Sequence, residues 1–156
     1  AAAARGRVNS AALSSALAHP YFARPAPKST GREDFGAAFT ERLLAAIQSG
    51  GGSLDDAIAT ATALTVESIG RALDGGPWRE LVVAGGGARN ATLVDHLGGR
   101  TRLPVRLSDD FGIPAEAREA VAFAVLGAYR LRGEPNTLPA CTGARRAASA
   151  GAIQRP

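Results

Sequence analysis

Residues 80–90 read Glu80-Leu81-Val82-Val83-Ala84-Gly85-Gly86-Gly87-Ala88-Arg89-Asn90, and this stretch decides the fold class of the 156-residue chain. Its segment from Glu80 to Ala84 is short, rich in β-branched residues and continuous, as in a buried parallel strand. After the glycines, residues 93–97 carry apolar side chains at helical spacing, and Gly98-Gly99 predicts the end of that helix. Pro104-Val105-Arg106-Leu107 predicts a second strand. The stretch therefore predicts a β-α-β unit with a glycine turn at the carboxyl end of its first strand.

Two long amphipathic helices are predicted before this unit. The first is expected to begin at the Thr-x-x-Glu capping box of residues 30–33 and to end at Gly50-Gly51-Gly52. The second is expected to begin near Ser53, with two aspartates in its first turn that suit the helix dipole, and to end at Gly75-Gly76-Pro77. The apolar face of the first is predicted at Phe35, Phe39, Leu43 and Ile47, and that of the second at Ile58, Ala61, Thr65, Ile69 and Leu73.

Shorter elements are predicted towards both ends of the chain. Residues 7–19 predict a short helix that Pro20 stops, and residues 20–28 predict an extended segment held by two aromatic rings, those of Tyr21 and Phe22. Residues 111–114 predict a turn into a last helix capped by Gly133, with Ala117, Val121, Val125 and Leu131 facing inward. No internal repeat or domain boundary is evident, so residues 1–156 are predicted to form one α/β unit with more helix than strand.

The composition excludes several classes of protein. Hydrophobic residues make up 46% of the chain and charged residues 21%, which argues against wholesale disorder. The net charge is +4, but the basic residues are scattered and aromatic residues make up only 5%, so no nucleic-acid partner is expected. No apolar run approaches the roughly 18 residues of a membrane helix, so no membrane partner is expected. A single cysteine, Cys141, excludes an internal disulfide and, with only two histidines, a zinc cluster.

Two features bear on where the chain belongs. It carries no apolar stretch of the signal-peptide kind near its start, and with its single cysteine this favours a cytoplasmic location. The sequence contains no Met, which predicts that it is part of a longer polypeptide.

The glycine turn is the best candidate site on physical grounds. Ligands of open α/β sheets bind beyond the carboxyl ends of the strands, where glycines let a phosphate or a base approach backbone amides near a helix N-terminus. Asn90 is expected either to cap the following helix or to contact a ribose. A tight strand-to-helix connection without a ligand is the alternative explanation of the glycines. The turn lacks Gly-x-Gly-x-x-Gly and is not a Rossmann fingerprint, and the order of residues 28–31 excludes a Walker A motif.

A second candidate site is the group of carboxylates around the start of the last helix, Asp109, Asp110, Glu116 and Glu119. The spacing of Glu116 and Glu119 predicts that they share a helix face, where one would orient a sugar hydroxyl or a water on magnesium. Simple complementation of the helix dipole is the alternative. The two histidines, His19 and His96, are expected to be structural.

Taken together, these residues resemble the anhydro-N-acetylmuramic acid kinases along residues 8–153. The most specific motifs are the run Lys28-Ser29-Thr30-Gly31-Arg32-Glu33 and the glycine turn. The full set, in chain order, is Pro20-Tyr21-Phe22, Pro27 to Phe35, Ala61-Thr62-Ala63-Leu64-Thr65, Gly85-Gly86-Gly87-Ala88-Arg89-Asn90, Asp110-x-Gly112-Ile113-Pro114, Glu119-Ala120-x-Ala122-Phe123-Ala124 and Leu138-Pro139-x-x-Thr142-Gly143-Ala144.

The resemblance implies an ATP-dependent and Mg2+-dependent enzyme of the sugar kinase, hsp70 and actin superfamily, with two ribonuclease-H-like lobes around a cleft. Such a kinase opens the 1,6-anhydro ring of anhydro-N-acetylmuramic acid with water while it phosphorylates O6, in peptidoglycan recycling. By the same resemblance Gly85, Gly86, Gly87 and Asn90 match the adenosine motif. Glu119 matches a carboxylate expected near the sugar and the catalytic water.

The resemblance covers the C-terminal part of such a kinase. The N-terminal phosphate loop, much of the sugar pocket and the aspartate expected as general base have no counterpart in the sequence. The chain is therefore predicted to form a C-terminal lobe that lacks its first strands, to be marginally stable and to be inactive alone. An alternative is a non-catalytic nucleotide-binding piece that a separate N-terminal chain completes. The expected protein partner is either such an N-terminal lobe or a second copy of this chain in a homodimer.

Overall fold

The computed structural model describes residues 2–26 and 28–154. Pro27, which begins one of the family motifs, lies outside the described residues. The helices are α1 (Ala2–Arg5), α2 (Ser10–Leu17), α3 (Pro20–Ala23), α4 (Arg32–Phe35), α5 (Ala37–Ser49), α6 (Leu54–Leu73), α7 (Ala91–Thr101), α8 (Arg118–Leu131) and α9 (Pro139–Thr142). The strands are β1 (Leu81–Val83) and β2 (Val105–Leu107), and two short 3-10 turns span Gly86–Arg89 and Ser108–Phe111.

The predicted β-α-β unit is confirmed, but its first strand is not buried as predicted, because Val82 is 47% exposed. Strands β1 and β2 are parallel, with Leu81 opposite Val105 and Val83 opposite Leu107, and α7 connects them. Within residues 2–26 and 28–154 they are the only two strands, so the fold is a helix-rich α/β arrangement with a small parallel sheet.

Helix α7 does not end at Gly98-Gly99, where the sequence predicted its end. It ends at Thr101 and is capped by Arg102, whose φ of 58° is left-handed and whose amide donates to the Gly98 carbonyl at 2.9 Å. The last turn is held from outside, because the guanidinium of Arg100 binds two carboxylates of the preceding helix region, those of Glu67 and Asp74. These ion pairs between distant segments therefore extend the helix past the two glycines.

The predicted capping box at residues 30–33 is wrong. The cap residue is Gly31, which makes no side-chain cap hydrogen bond, and the Thr30 hydroxyl instead binds the carboxylate of Asp34 at 2.7 Å. The expected single helix is divided at Gly36 into α4 and α5. A Cβ at Gly36 would lie 2.2 Å from the Arg32 carbonyl oxygen, so the close approach at this break requires glycine.

The core lies where α2, α5 and α6 meet. Ile47 of α5 is fully buried and packs with Ala12 and Ala57, and a neighbouring cluster is formed by Ala16, Leu17 and Leu64. The predicted apolar stripe of α5 is confirmed at Ile47 and at the packed side chains of Phe39 and Leu43.

The predicted apolar face of α6 is wrong at three of its five positions. Ile58 is 37% exposed, Ala61 and Thr65 are exposed, and the buried residues are instead Ala57, Ala59, Thr60, Thr62, Leu64, Val66 and Gly70. Small side chains predominate in the buried set because α1, α2 and α7 all pack closely against α6. Ile69 and Leu73, the last two residues of the predicted face, are half-buried.

The start of α6 is as predicted and also ties down the N-terminal segment. Ser53 and Asp56 form a reciprocal capping box, and the Asp56 carboxylate additionally accepts from the Arg7 amide at 2.6 Å. Thr60, which is fully buried, accepts from the Asn9 amide at 3.0 Å and donates to the Asp56 carbonyl. These bonds position α2 on α6.

The first predicted helix is α2, which spans Ser10–Leu17 and ends before Pro20, and the segment that follows is not extended throughout as predicted. Pro20 is the first residue of the single turn α3, where its fixed φ and missing amide hydrogen are favourable. The Lys28 ammonium donates hydrogen bonds to the carbonyls of Tyr21 and Phe22, and it lies 4.8 Å from the centre of the Tyr21 ring.

Helix α8 is not packed as predicted. Val121 is 40%, Val125 50% and Leu131 76% exposed, and no residue of α8 is buried. Gly133 follows the helix with a φ of +73°, which agrees with its predicted capping position. Among the described residues, no helix is long and apolar enough to cross a membrane.

Candidate functional site

The glycine turn lies at the carboxyl end of β1, as predicted. Gly85 has a φ of +77°, which favours glycine, and its amide donates to the carbonyl of Ala115 at 2.8 Å. The amides of Gly86 and Gly87 have no acceptor among the described residues. A Cβ built at Gly85 or at Gly86 would meet no atom within 4 Å, so the space above the turn is open to a ligand.

Asn90 caps α7, which is one of its two predicted roles. Its Oδ1 accepts from the Leu93 amide at 3.2 Å. The contact to a ribose stays a prediction.

A groove adjoins this end of the glycine turn and was not predicted. It has a volume of about 250 Å³ and lies between α6 and the start of α7, lined by Ile58, Ala61, Thr62, Thr65, Asn90 and Leu93. Three of these residues, Ile58, Ala61 and Thr65, belong to the stripe that the sequence assigned to the core. Their exposure leaves an apolar surface next to the open backbone amides, and the Ala61 to Thr65 family motif was its only sequence signal.

The loop after β2 reaches the same end of the sheet. Asp109 accepts from the Ala115 amide at 3.2 Å, and Asp110 binds Arg106 at 3.4 Å. Ser108 is 7% exposed, and its hydroxyl has no hydrogen-bond partner among the described residues. This loop therefore fixes residue 115 between the carboxyl ends of β1 and β2.

Glu116 and Glu119 do not share a helix face, contrary to the prediction. Glu116 precedes α8 and forms an ion pair with Arg89 of the glycine turn, whereas Glu119 lies in the first turn of α8 and binds Arg118 at 3.3 Å. The prediction failed because α8 begins at residue 118, after the turn that Ala115 anchors. Both carboxylates are solvent-exposed, with side chains 61% and 79% accessible.

The carboxylates do not converge on a metal. In the parts of the chain from residue 2 to 26 and from 28 to 154, no three His, Cys, Asp or Glu side chains are grouped so as to hold a metal ion. Each carboxylate binds a different donor. That of Asp109 accepts from a backbone amide, and the other three bind arginines, as seen for Asp110, Glu116 and Glu119. These residues by themselves do not form a magnesium site.

The two histidines lie outside this region. The Nδ1 of His19 accepts from the Tyr21 amide, and its ring contacts the aromatic rings of Phe22, Phe35 and Phe39. His96 is on the exposed side of α7.

Comparison with known proteins identifies a family for the chain. The family described as anhydro-N-acetylmuramic acid kinase matches residues 1–156. Proteins named anhydro-N-acetylmuramic acid kinase are similar to the chain in Azorhizobium caulinodans, with 43% identity over 158 residues, and in Phenylobacterium zucineum, with 40% over 153. A third, from Streptomyces coelicolor, is 41% identical over 151 residues.

These matches cover 100%, 97% and 95% of this chain but only 42%, 39% and 38% of the respective relatives. The chain thus spans about two fifths of the length of the curated relatives it matches. Since the family match extends over the whole chain, the chain belongs to the anhydro-N-acetylmuramic acid kinase family.

Proposed function

We propose that this chain supplies the nucleotide-binding part of an ATP-dependent kinase that opens the anhydro ring of anhydro-N-acetylmuramic acid and phosphorylates O6. The observation that carries the proposal is the apolar groove between α6 and α7 beside the open glycine turn. Purine rings bind in mostly apolar clefts with a few polar groups at their edge, and Asn90 and Thr65 are such groups. The relatives' shared name supplies the substrate class.

In this proposal the groove holds the adenine and the glycine turn holds the polar remainder of the nucleotide. The free amides of Gly86 and Gly87 are donors for an anionic or hydroxyl oxygen, and the absence of side chains allows close approach. The Oδ1 of Asn90 accepts the capping hydrogen bond from Leu93, so its Nδ2 is the atom that would donate to a ribose oxygen.

Glu119 is proposed to approach the sugar and the attacking water. Glu119 lies in the first turn of α8, the helix that follows the segment bonded to Gly85 through Ala115. Kinases bind Mg2+ through nucleotide phosphates and one or two carboxylates, so the metal would arrive with ATP. The general base and the phosphate loop would come from the part of the enzyme that this chain does not span.

Nucleotide binding tests the groove directly. In a titration of the chain with a fluorescent ADP analogue, Ala61→Phe should weaken binding at least about tenfold, because the new ring fills the groove. Ala45→Phe is the matched control, since Ala45 is an exposed helical alanine of α5 that does not line this groove. Equal affinity in both variants would overturn the assignment of the groove.

Kinase activity tests the reaction. The chain is assayed with anhydro-N-acetylmuramic acid, ATP and magnesium, first alone and then joined to the unmatched portion of the Azorhizobium relative. Product is expected only from the joined polypeptide, and Glu119→Gln should lower its kcat. Activity of the chain alone would contradict the proposed need for a second part. A joined polypeptide that binds nucleotide without turnover would favour a nucleotide-binding role only.

A further inference from the structure

A basic pocket lies between the segment that follows α3 and the C-terminal half of α6. It has a volume of about 210 Å³, and three cationic residues contribute to its wall, Arg24, Lys28 and Arg71. Of the described residues that line it, none is acidic, and Ser68 adds a hydroxyl group. The pocket shares no residue with the groove between α6 and α7, so it is a separate cavity.

The three cations of this pocket are left without carboxylate partners. Within residues 2–26 and 28–154, none of them forms an ion pair. The acidic residues nearest to Arg71 in the sequence are Glu67 and Asp74, and both bind Arg100 instead. Because positive charges gathered in a concave wall reinforce one another, the pocket attracts an anion.

Lys28 is held in position, unlike an ordinary surface lysine. It is half-buried, and its ammonium donates to the carbonyls of Tyr21 and Phe22, each at 3.2 Å. An ammonium has three N–H donors, so one remains for a ligand. A side chain that is already ordered loses little freedom when it binds, which lowers the entropic cost of binding. Lys28 also begins the family motif of residues 28–33, which the proposed nucleotide groove leaves without a function.

We propose that this pocket binds a phosphate group, either as the free ion or as part of a small phosphate ester. Arg24 and Arg71 supply planar guanidinium groups that bind phosphate oxygens through paired N–H donors, and Lys28 adds a point charge. A phosphate ester has three acceptor oxygens and close to two negative charges, so it satisfies these donors better than a carboxylate. The volume of the pocket is below that of sites for drug-sized ligands, which suits a small anion.

Acetylation of Lys28 reports on this pocket, because Lys28 is the single lysine of the sequence. The chain is treated with an acetylating ester in the presence and absence of millimolar inorganic phosphate. The rate at residue 28 is followed by mass spectrometry, which separates it from the rate at the N-terminal amine. Saturating phosphate should slow acetylation of Lys28 at least about fivefold, because the reaction then requires dissociation of the anion. Sodium chloride at equal ionic strength should have little effect.

Arginine variants connect this protection to the pocket. Arg71→Gln and, independently, Arg24→Gln should abolish the protection of Lys28 by phosphate. Arg79→Gln is the matched control, since Arg79 is also an exposed arginine but does not line the pocket, and it should keep full protection. Glycerol phosphate is compared with inorganic phosphate. Protection at lower concentrations by the ester would identify a phosphate ester as the ligand, and the reverse order would identify the free ion.

Several results would overturn the proposal. Protection that persists in both Arg71→Gln and Arg24→Gln would show that the anion does not bind between these side chains. Equal protection by acetate would show that the pocket does not select phosphate, and equal protection by sodium chloride would indicate screening alone. Loss of protection in Ala61→Phe would place the phosphate in the groove between α6 and α7, because Ala61 lines that groove and not the basic pocket.

Discussion

Arg89 of the glycine turn and Glu116 of the segment before α8 form an ion pair that joins the two halves of the candidate site. The neighbouring backbone bond from Gly85 to the Ala115 carbonyl, at 2.8 Å, makes the same connection. Two independent contacts therefore relate the turn proposed for nucleotide binding to the helix that carries Glu119.

The ion pair is expected to restrain the segment before α8 without adding much to global stability. Arg89→Glu or Glu116→Arg alone should accelerate amide hydrogen exchange at residues 112–117 several-fold, and the double charge swap should restore slow exchange. Because both side chains are exposed, the free energy of unfolding should change by less than about 1 kcal/mol. Equally fast exchange in the double variant would show that the pair does not restrain this segment.

Gly70 of α6 and Gly99 of α7 should respond in opposite ways to alanine. A Cβ at Gly70 would lie 2.8 Å from two carbons of Arg100, the side chain that binds Glu67 and Asp74, whereas a Cβ at Gly99 meets nothing within 4 Å. Gly99→Ala should raise the Tm, since alanine is favoured over glycine in helices by up to about 1 kcal/mol. Gly70→Ala should lower it by displacing Arg100. A similar increase in both variants would contradict the close approach at Gly70.

Ile47 should be the most costly single truncation in the helical core. It is fully buried between Ala12 and Ala57, so Ile47→Ala removes buried methyl groups and leaves a cavity. The expected loss in the free energy of unfolding is about 2–5 kcal/mol, measured by urea denaturation. Leu54→Ala is the control, since Leu54 is exposed and its truncation should cost less than about 0.5 kcal/mol.

Asp56 should make the stability of the chain sensitive to acid. Hydrogen bonds from the Arg7 amide, then from the Ser53 amide and hydroxyl, lower the pKa of the Asp56 carboxyl from 3.8 to about 2. Because the pKa is lower in the folded state than in the unfolded state, this stabilisation is complete above about pH 4 and is lost as the pH falls towards 2. Between about pH 4 and pH 2, the free energy of unfolding of Asp56→Asn, measured by urea denaturation, should depend less on pH than that of the unsubstituted chain. The pH dependence of Ser53→Ala should lie between those of these two proteins.

An unchanged pH dependence in Asp56→Asn would contradict this role of the carboxyl. It would assign the acid sensitivity to other groups, of which Asp74 is one, because Arg100 lowers the pKa of its carboxyl as well.

Local signals predicted most of the elements around the candidate site. The β-branched run and the glycines gave β1 and its turn, and the paired Ser53 and Asp56 gave the start of α6. The boundary at Gly98-Gly99 failed because contacts distant in sequence, from Arg100 to Glu67 and Asp74, stabilise the last turn of α7. The prediction of the buried face of α6 failed because the residues that are buried are mostly small ones, which allow neighbouring helices to approach closely.

The sequence by itself determined the parallel β-α-β unit, the glycine turn, the main helices of the core and the family, because these depend on residue types and spacings along the chain. Only the tertiary structure decided that Ile58, Ala61 and Thr65 line a groove and that Glu116 binds Arg89. It also left α8 uncovered. Periodicity identifies an apolar face, but the element that packs against it depends on contacts between distant segments, which the sequence pattern does not specify.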